Sequence, residues 1–160
     1  MLTAERAAMV ANLREALETL PAVLLALPLT RLDAAPAPGA WSARDVLGHL
    51  ADAEQVYGVR LRMLVTQPRP FLASYDQNAW ARRFAHLESV ESALERWTVL
   101  RRANLAVIEA LSEDEWLRSG DHEEGMQVGR VETPERVADV LVRHTREHLN
   151  QMLAAVGDGS

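Results

Sequence analysis

Cysteine is absent from this chain of 160 residues, and so is lysine. The first absence removes disulfides, thiolate metal ligands, iron–sulfur clusters and a cysteine nucleophile together. The second removes Schiff-base chemistry on a lysine amine, because all 17 basic residues are arginine. No uninterrupted apolar run approaches the roughly 20 residues needed to cross a bilayer. The start, Met1–Arg6, lacks the basic and apolar segments of a secretion signal, so a cytoplasmic protein is expected. Blocks of positive charge are missing too. Net charge is −6, and the pairs Arg82-Arg83 and Arg101-Arg102 are expected on solvated surface, so no nucleic-acid partner is expected. Alternating strand patterns are nearly absent, and there is no internal repeat.

What is present is helical periodicity. Apolar residues make up 48%, enough at this length for one domain, 1–160, with a real core. Leu13, Ala16, Leu17, Leu20, Leu24 and Leu27 place a first helix over 4–27, which Pro21 should kink or restart. Pro28, Pro36, Pro38 and Gly39 make 28–40 a connection. Ser42, with Asp45 three residues on, forms a capping-box pattern for a second helix over 43–66, ended by Pro68 and Pro70. Its apolar stripe includes Val46, His49, Leu50, Ala53, Tyr57, Leu61 and Leu64. Residues 67–87 are expected to be irregular, and a third helix is expected over 88–111. Ser112 and Glu115 have the spacing of a capped extra turn. Residues 119–131, with Gly120, Gly125 and Gly129, are expected to form a loop. Thr133-Pro134 opens a fourth helix to about 156, before a frayed tail over 157–160. Four long amphipathic patterns predict an all-α four-helix bundle.

Chemistry concentrates on histidine. His144 and His148, in H-T-R-E-H, stand four apart and share one helix face. Two imidazoles so placed can bind one metal ion. Buried without partners, their nitrogens would cost about 1–3 kcal/mol each. His49 lies on the apolar stripe of a different helix, where a hydrogen-bonded core histidine is the simpler account. If the fold brings the two helices together, three neutral nitrogens with an open position give the ligand count of a catalytic zinc site. His86 and His122 are expected to be solvated.

The order of motifs supplies what spacing cannot. W-S-A-R-D-V-L-G-H-L-A-D-A-E at 41–54, Y-D-Q-N-A-W-A at 75–81 and R-H-T-R-E-H-L-N-Q-M at 143–152 resemble the DinB-like family of four-helix bundle metalloproteins. The resemblance covers most of the chain, and it implies a divalent metal, zinc or nickel, on His49, His144 and His148. It also implies a homodimer. Helix geometry nominates Asp45, Asp52 and Gln151 as groups that could orient an imidazole or a bound water. Capping competes with that role for Asp45, and a solvent-facing charge competes with it for Asp52. Glu147 is expected at the surface, and Tyr75 and Trp80 are candidates to line a pocket beside the metal.

Two function classes follow. In the first, the protein is an enzyme. By resemblance it would be a transferase joining a low-molecular-weight thiol to a small electrophile, or alternatively a metal-dependent hydrolase. In the second, it is a non-catalytic, metal-stabilised binding module. A structural site would need a fourth protein ligand, and none is evident in the sequence.

Overall fold

The computed structural model describes residues 3–123 and 131–157. The expectations for Gly125, Gly129 and the last three residues lie outside them. Four long helices form the body: α1 (Ala4–Ala26), α2 (Ala43–Thr66), α4 (Val90–Ala110) and α6 (Pro134–Gly157). The short helices α3 (Gln77–Phe84) and α5 (Glu113–Trp116) flank them. The starts are chemically marked. Thr3 Oγ1 accepts from the Arg6 amide, Ser89 Oγ from that of Ser92, and Thr133 Oγ1 from that of Arg136. Ser42 with Asp45 and Ser112 with Glu115 form reciprocal capping boxes. A cap of this kind stabilises its helix by about 1 kcal/mol.

Three local expectations change. Helix α1 continues through Pro21 as one helix instead of restarting there, at the loss of one amide donor. The stretch 67–87 is not all irregular. Asp76 accepts from the Ala79 amide at 2.9 Å and starts α3, an element of two turns that is too short to show a period. The expected loop over 119–131 supplies two strands. β1 (Phe71–Leu72) pairs in parallel with β2 (Gly120–His122), and β2 pairs antiparallel with β3 (Val131–Glu132). Strands of two or three residues leave no alternation to read in a sequence.

Around the bundle the order is α1, α4, α2, α6, so that α2 packs between α4 and α6. The core divides into two apolar blocks. One gathers Leu20, Leu24, Leu47, Leu50, Trp97 and Met152. The other gathers Leu13, Leu61, Leu64, Ile108, Trp116 and Leu141. Between these blocks α2, α4 and α6 bury a polar layer, the side chains of Glu54, Arg101, Asn104 and Thr145.

Arg101 belongs to that layer, which corrects its assignment to the surface. It is 1% exposed. Its Nε donates to Glu54 Oε1 at 2.8 Å and its Nη2 to Thr145 Oγ1 at 2.7 Å. Asn104 Nδ2 donates to both the carbonyl and Oε2 of Glu54, each at 2.9 Å. Gly58 makes room for this arrangement, since a Cβ there would lie 2.4 Å from Asn104 Oδ1. A doublet of arginines reads as surface in sequence because the burial of one depends on an acid 47 positions away. The other three arginines of the two doublets, Arg82, Arg83 and Arg102, are exposed.

Candidate metal centre

The polar layer continues on the α6 side as three imidazoles. His49 sits two turns into α2 and is buried at 2% exposure, because that face of α2 is pressed against α6. His144 and His148 lie one turn apart on α6 and face it. His49 Nε2 is 2.8 Å from His144 Nε2, and His148 Nε2 is 3.0 Å from the same atom. All three ligating nitrogens lie within 4.8 Å of one another. Tetrahedral ligands at 2.0–2.1 Å from zinc would sit roughly 3.3 Å apart. The two contacts to His144 therefore need a few tenths of an ångström of expansion, while the wider spread of the set, up to 4.8 Å, must close.

Proton positions favour the same fit. His148 Nδ1–H donates to Gln151 Oε1 at 2.7 Å, which leaves a lone pair on His148 Nε2. A linear N–H bond can serve only one of the two contacts that converge on His144 Nε2. The other sets lone pairs face to face, and a cation at their centre relieves that repulsion. Burial pulls the His49 pKa down to about 4, aided by the charge His148 would carry. His144 is pulled to about 3, first by burial and then by the charges of His148, His49, Arg101 and Arg143. Burial also lowers His148, opposed by Gln151 and Glu147. All three are neutral donors at neutral pH, the form a metal requires. Among the described residues, no carboxylate joins the cluster.

The surroundings sort the other candidates. Gln151 touches His148 and fixes its tautomer. Asp45 does not reach an imidazole of the triad. Its carboxylate accepts from Ser42 N at 2.9 Å and Ser42 Oγ at 2.7 Å, and it lies 3.4 Å from exposed His86. Asp52 is neither a partner of His49 nor a solvent-facing charge. It is buried, and Arg96 of α4 donates to it at 2.9 Å. Glu147 is exposed as expected. His122 is buried at 8%, contrary to its expected solvation, because β2 is the middle strand of the small sheet and turns it inward. Trp41 opens the 41–54 motif, but nothing in the sequence placed it at the triad. Its ring lies 4.8 Å from that of His49 and stacks 6.1 Å from that of His148, closing one side of the triad. Its place immediately before the Ser42 cap was the available signal.

His144 opens onto a cavity of about 530 Å³, in the range of small-molecule sites. Its walls include Tyr57, Arg60, Tyr75, His122, Glu132 and Arg143. Tyr75 is therefore beside the triad's cavity, whereas Trp80 lines a neighbouring apolar cleft with Tyr75 and Phe71. Burial, with smaller contributions from Tyr57 and Asp52, pushes the Tyr75 pKa up to about 12, so its phenol remains a neutral donor.

A sequence profile of the DinB superfamily matches residues 12–152. The chain belongs to the DinB superfamily. Two proteins similar to this chain are provisionally named metal-dependent hydrolases. OB0782 of Oceanobacillus iheyensis is 26% identical over 119 residues, covering 74% of this chain and 67% of that protein. YfiT of Bacillus subtilis is 25% identical over 128 residues, covering 75% and 66%. The chain thus spans about two thirds of the length of each. The solved structure of YfiT, described as a four-helix bundle of unusual topology, superposes with a TM-score of 0.85 at 20% identity, over 97% of this chain and 88% of that one. At that identity the likeness shows a shared fold. Among the described residues, no helix of this superfamily member is long and apolar enough to cross a membrane.

Proposed function

We propose that His49, His144 and His148 hold one divalent metal ion, zinc or nickel, and that the protein is a metal-dependent hydrolase of small molecules. The carrying observation is the convergence of three neutral Nε2 atoms, two of them 2.8 and 3.0 Å from the third, that of His144, which lines a cavity. A divalent ion there supplies Lewis acidity, polarising a substrate carbonyl and acidifying a coordinated nucleophile. The chain's residues set the conditions for this. Gln151 keeps the proton on His148 Nδ1, so that Nε2 is always available. Trp41 covers the triad and limits water on that side. Tyr57 and Tyr75 place phenol groups along the cavity wall. The names of the relatives support the hydrolytic reading, and the lack of a fourth protein ligand among the described residues supports an open site.

The thiol transferase expectation uses the same centre, since a thiol can occupy the open position as a thiolate. With no cysteine or lysine of its own, the chain needs an incoming nucleophile in either case. Cobalt-substituted protein separates the two readings. Hydrolysis predicts turnover of ester or amide substrates with no new sulfur-to-metal absorption when thiols are added. Such absorption, together with conjugation of thiol to electrophile, would replace the hydrolytic reading. Elemental analysis decides the centre itself. Metal should be stoichiometric in the parent and sharply lower in each of His49→Ala, His144→Ala and His148→Ala, but not in His86→Ala. Stoichiometric metal in the His144→Ala/His148→Ala double variant would sink the assignment. The expected homodimer is read from sedimentation equilibrium of the same samples.

A further inference from the structure

Among the described residues, one cation in the cavity wall has no carboxylate beside it. Arg60 stands eleven positions after His49 on α2, roughly 16 Å further along the helix axis at 1.5 Å per residue. It is 6% exposed. Charges buried this deeply are normally paired, as Arg101 is with Glu54. The guanidinium of Arg60 instead donates from Nη2 to the Ala73 carbonyl at 2.7 Å and lies 5.1 Å over the ring of Tyr57. Among the described residues no carboxylate lies within 4.0 Å of it, and its Nε and Nη1 carry no partner. Those two nitrogens are not sealed in the protein interior either.

The other charges in the wall are committed elsewhere. Arg143 is paired with Asp139 at 2.9 Å, and Arg136 lies 3.9 Å from Glu132. Asp76 accepts from the Ala79 amide as the cap of α3. Among the described residues Arg60 is thus the wall cation with no carboxylate beside it, and it lines the same cavity as His144.

We propose that Arg60 is an anion anchor, and that the substrate of this site carries a carboxylate held by Arg60 at the end of the cavity away from the histidine triad. One guanidinium in a wall that also carries Asp76 and Glu132 matches a monoanion better than a phosphate dianion. With Nη2 on Ala73, Nε or Nη1 can still donate a strong charge-assisted bond to a carboxylate oxygen. The neutral phenol of Tyr75 beside it adds a donor without adding charge. The word substrate rests on the hydrolase reading, but anion binding by Arg60 does not, because it needs no metal.

The test is therefore run on metal-free protein, with benzoate and its neutral isostere benzamide as probes, by calorimetry and by NMR of the arginine Nε–H resonances. Benzoate should bind saturably, benzamide roughly tenfold or more weakly, and the Arg60 Nε–H resonance should move during the benzoate titration. Arg60→Met should bring benzoate down to the level of benzamide. Arg60→Lys should keep part of the preference, and Arg143→Met should leave it nearly intact. Equal affinities in the unmodified protein, no saturable benzoate binding, or a full benzoate preference in folded Arg60→Met would each overturn the inference. If Arg60→Met does not fold, the probe ratio and the Arg60 resonance in unmodified protein decide. A protein that binds benzoate through Arg60 yet retains no metal would overturn the hydrolase reading and leave the anchor standing.

Discussion

Replacing Arg101 with methionine probes the buried layer that holds α2, α4 and α6 in register. Methionine keeps an aliphatic stem of similar length beside Trp97, whose ring centre lies 5.1 Å from the guanidinium carbon. What goes is the charge and its bonds: Nε to Glu54 Oε1 at 2.8 Å, Nη2 to Thr145 Oγ1 at 2.7 Å, and a long contact to the Leu141 carbonyl at 3.4 Å. Glu54, itself 1% exposed, is left with only the Asn104 amide. Removing one partner of a buried pair costs about 3–5 kcal/mol, mostly through the stranded charge. In a domain of this length each kcal/mol lowers Tm by roughly 2–4 °C, so Tm should fall by about 6–20 °C. Adding Glu54→Leu removes the stranded carboxylate and should recover about 1–4 kcal/mol. Urea unfolding followed by far-UV circular dichroism measures both variants. If Arg101→Met lies within about 1 kcal/mol of the parent, or if the second substitution adds its full cost instead of relieving the first, the layer is not held as argued.

Further outcomes follow from single contacts. Gln151→Ala should weaken metal binding roughly 10–100-fold by freeing the His148 tautomer, with unfolding midpoints little changed, as a competitive chelator titration would report. Gly58→Ala should destabilise despite alanine's helix propensity. The new Cβ, 2.4 Å from Asn104 Oδ1, strains the bonds to Glu54 by about 1–3 kcal/mol against about 1 kcal/mol of propensity gained. Acidification should unfold the metal-free protein. His49 has a pKa of about 4 in the fold against 6.5 unfolded, so the unfolded chain binds more protons through that window. The stability is full above pH 6.5 and falls as pH drops to about 4 at His49 and about 3 at His144, with His49 alone contributing on the order of 3 kcal/mol. A flat stability curve between those limits would contradict the burial of the triad.

Sequence alone determined what is local. The 3.6-residue period set the four long helices, and Ser42, Ser112 and Thr133 marked starts that the structure keeps within a residue. The same period placed His144 and His148 on one face, because residues four apart on a helix are neighbours whatever surrounds them. Capping chemistry, which acts within three residues, also explains why Asp45 is committed to Ser42 rather than to a histidine. Which faces meet is a different matter, settled by the bundle order α1, α4, α2, α6. That order brings His49 to the α6 pair across 95 residues of sequence, seats Trp41 against two imidazoles, and draws Arg101 inward to Glu54. It also puts Asp52 on Arg96 and gives Arg60 a wall position that, among the described residues, has no acid beside it. Periodicity fixes which side chains share a face of one helix. Only the packing of helices distant in sequence decides which charges find partners, which imidazoles converge, and which buried cation is left facing the cavity.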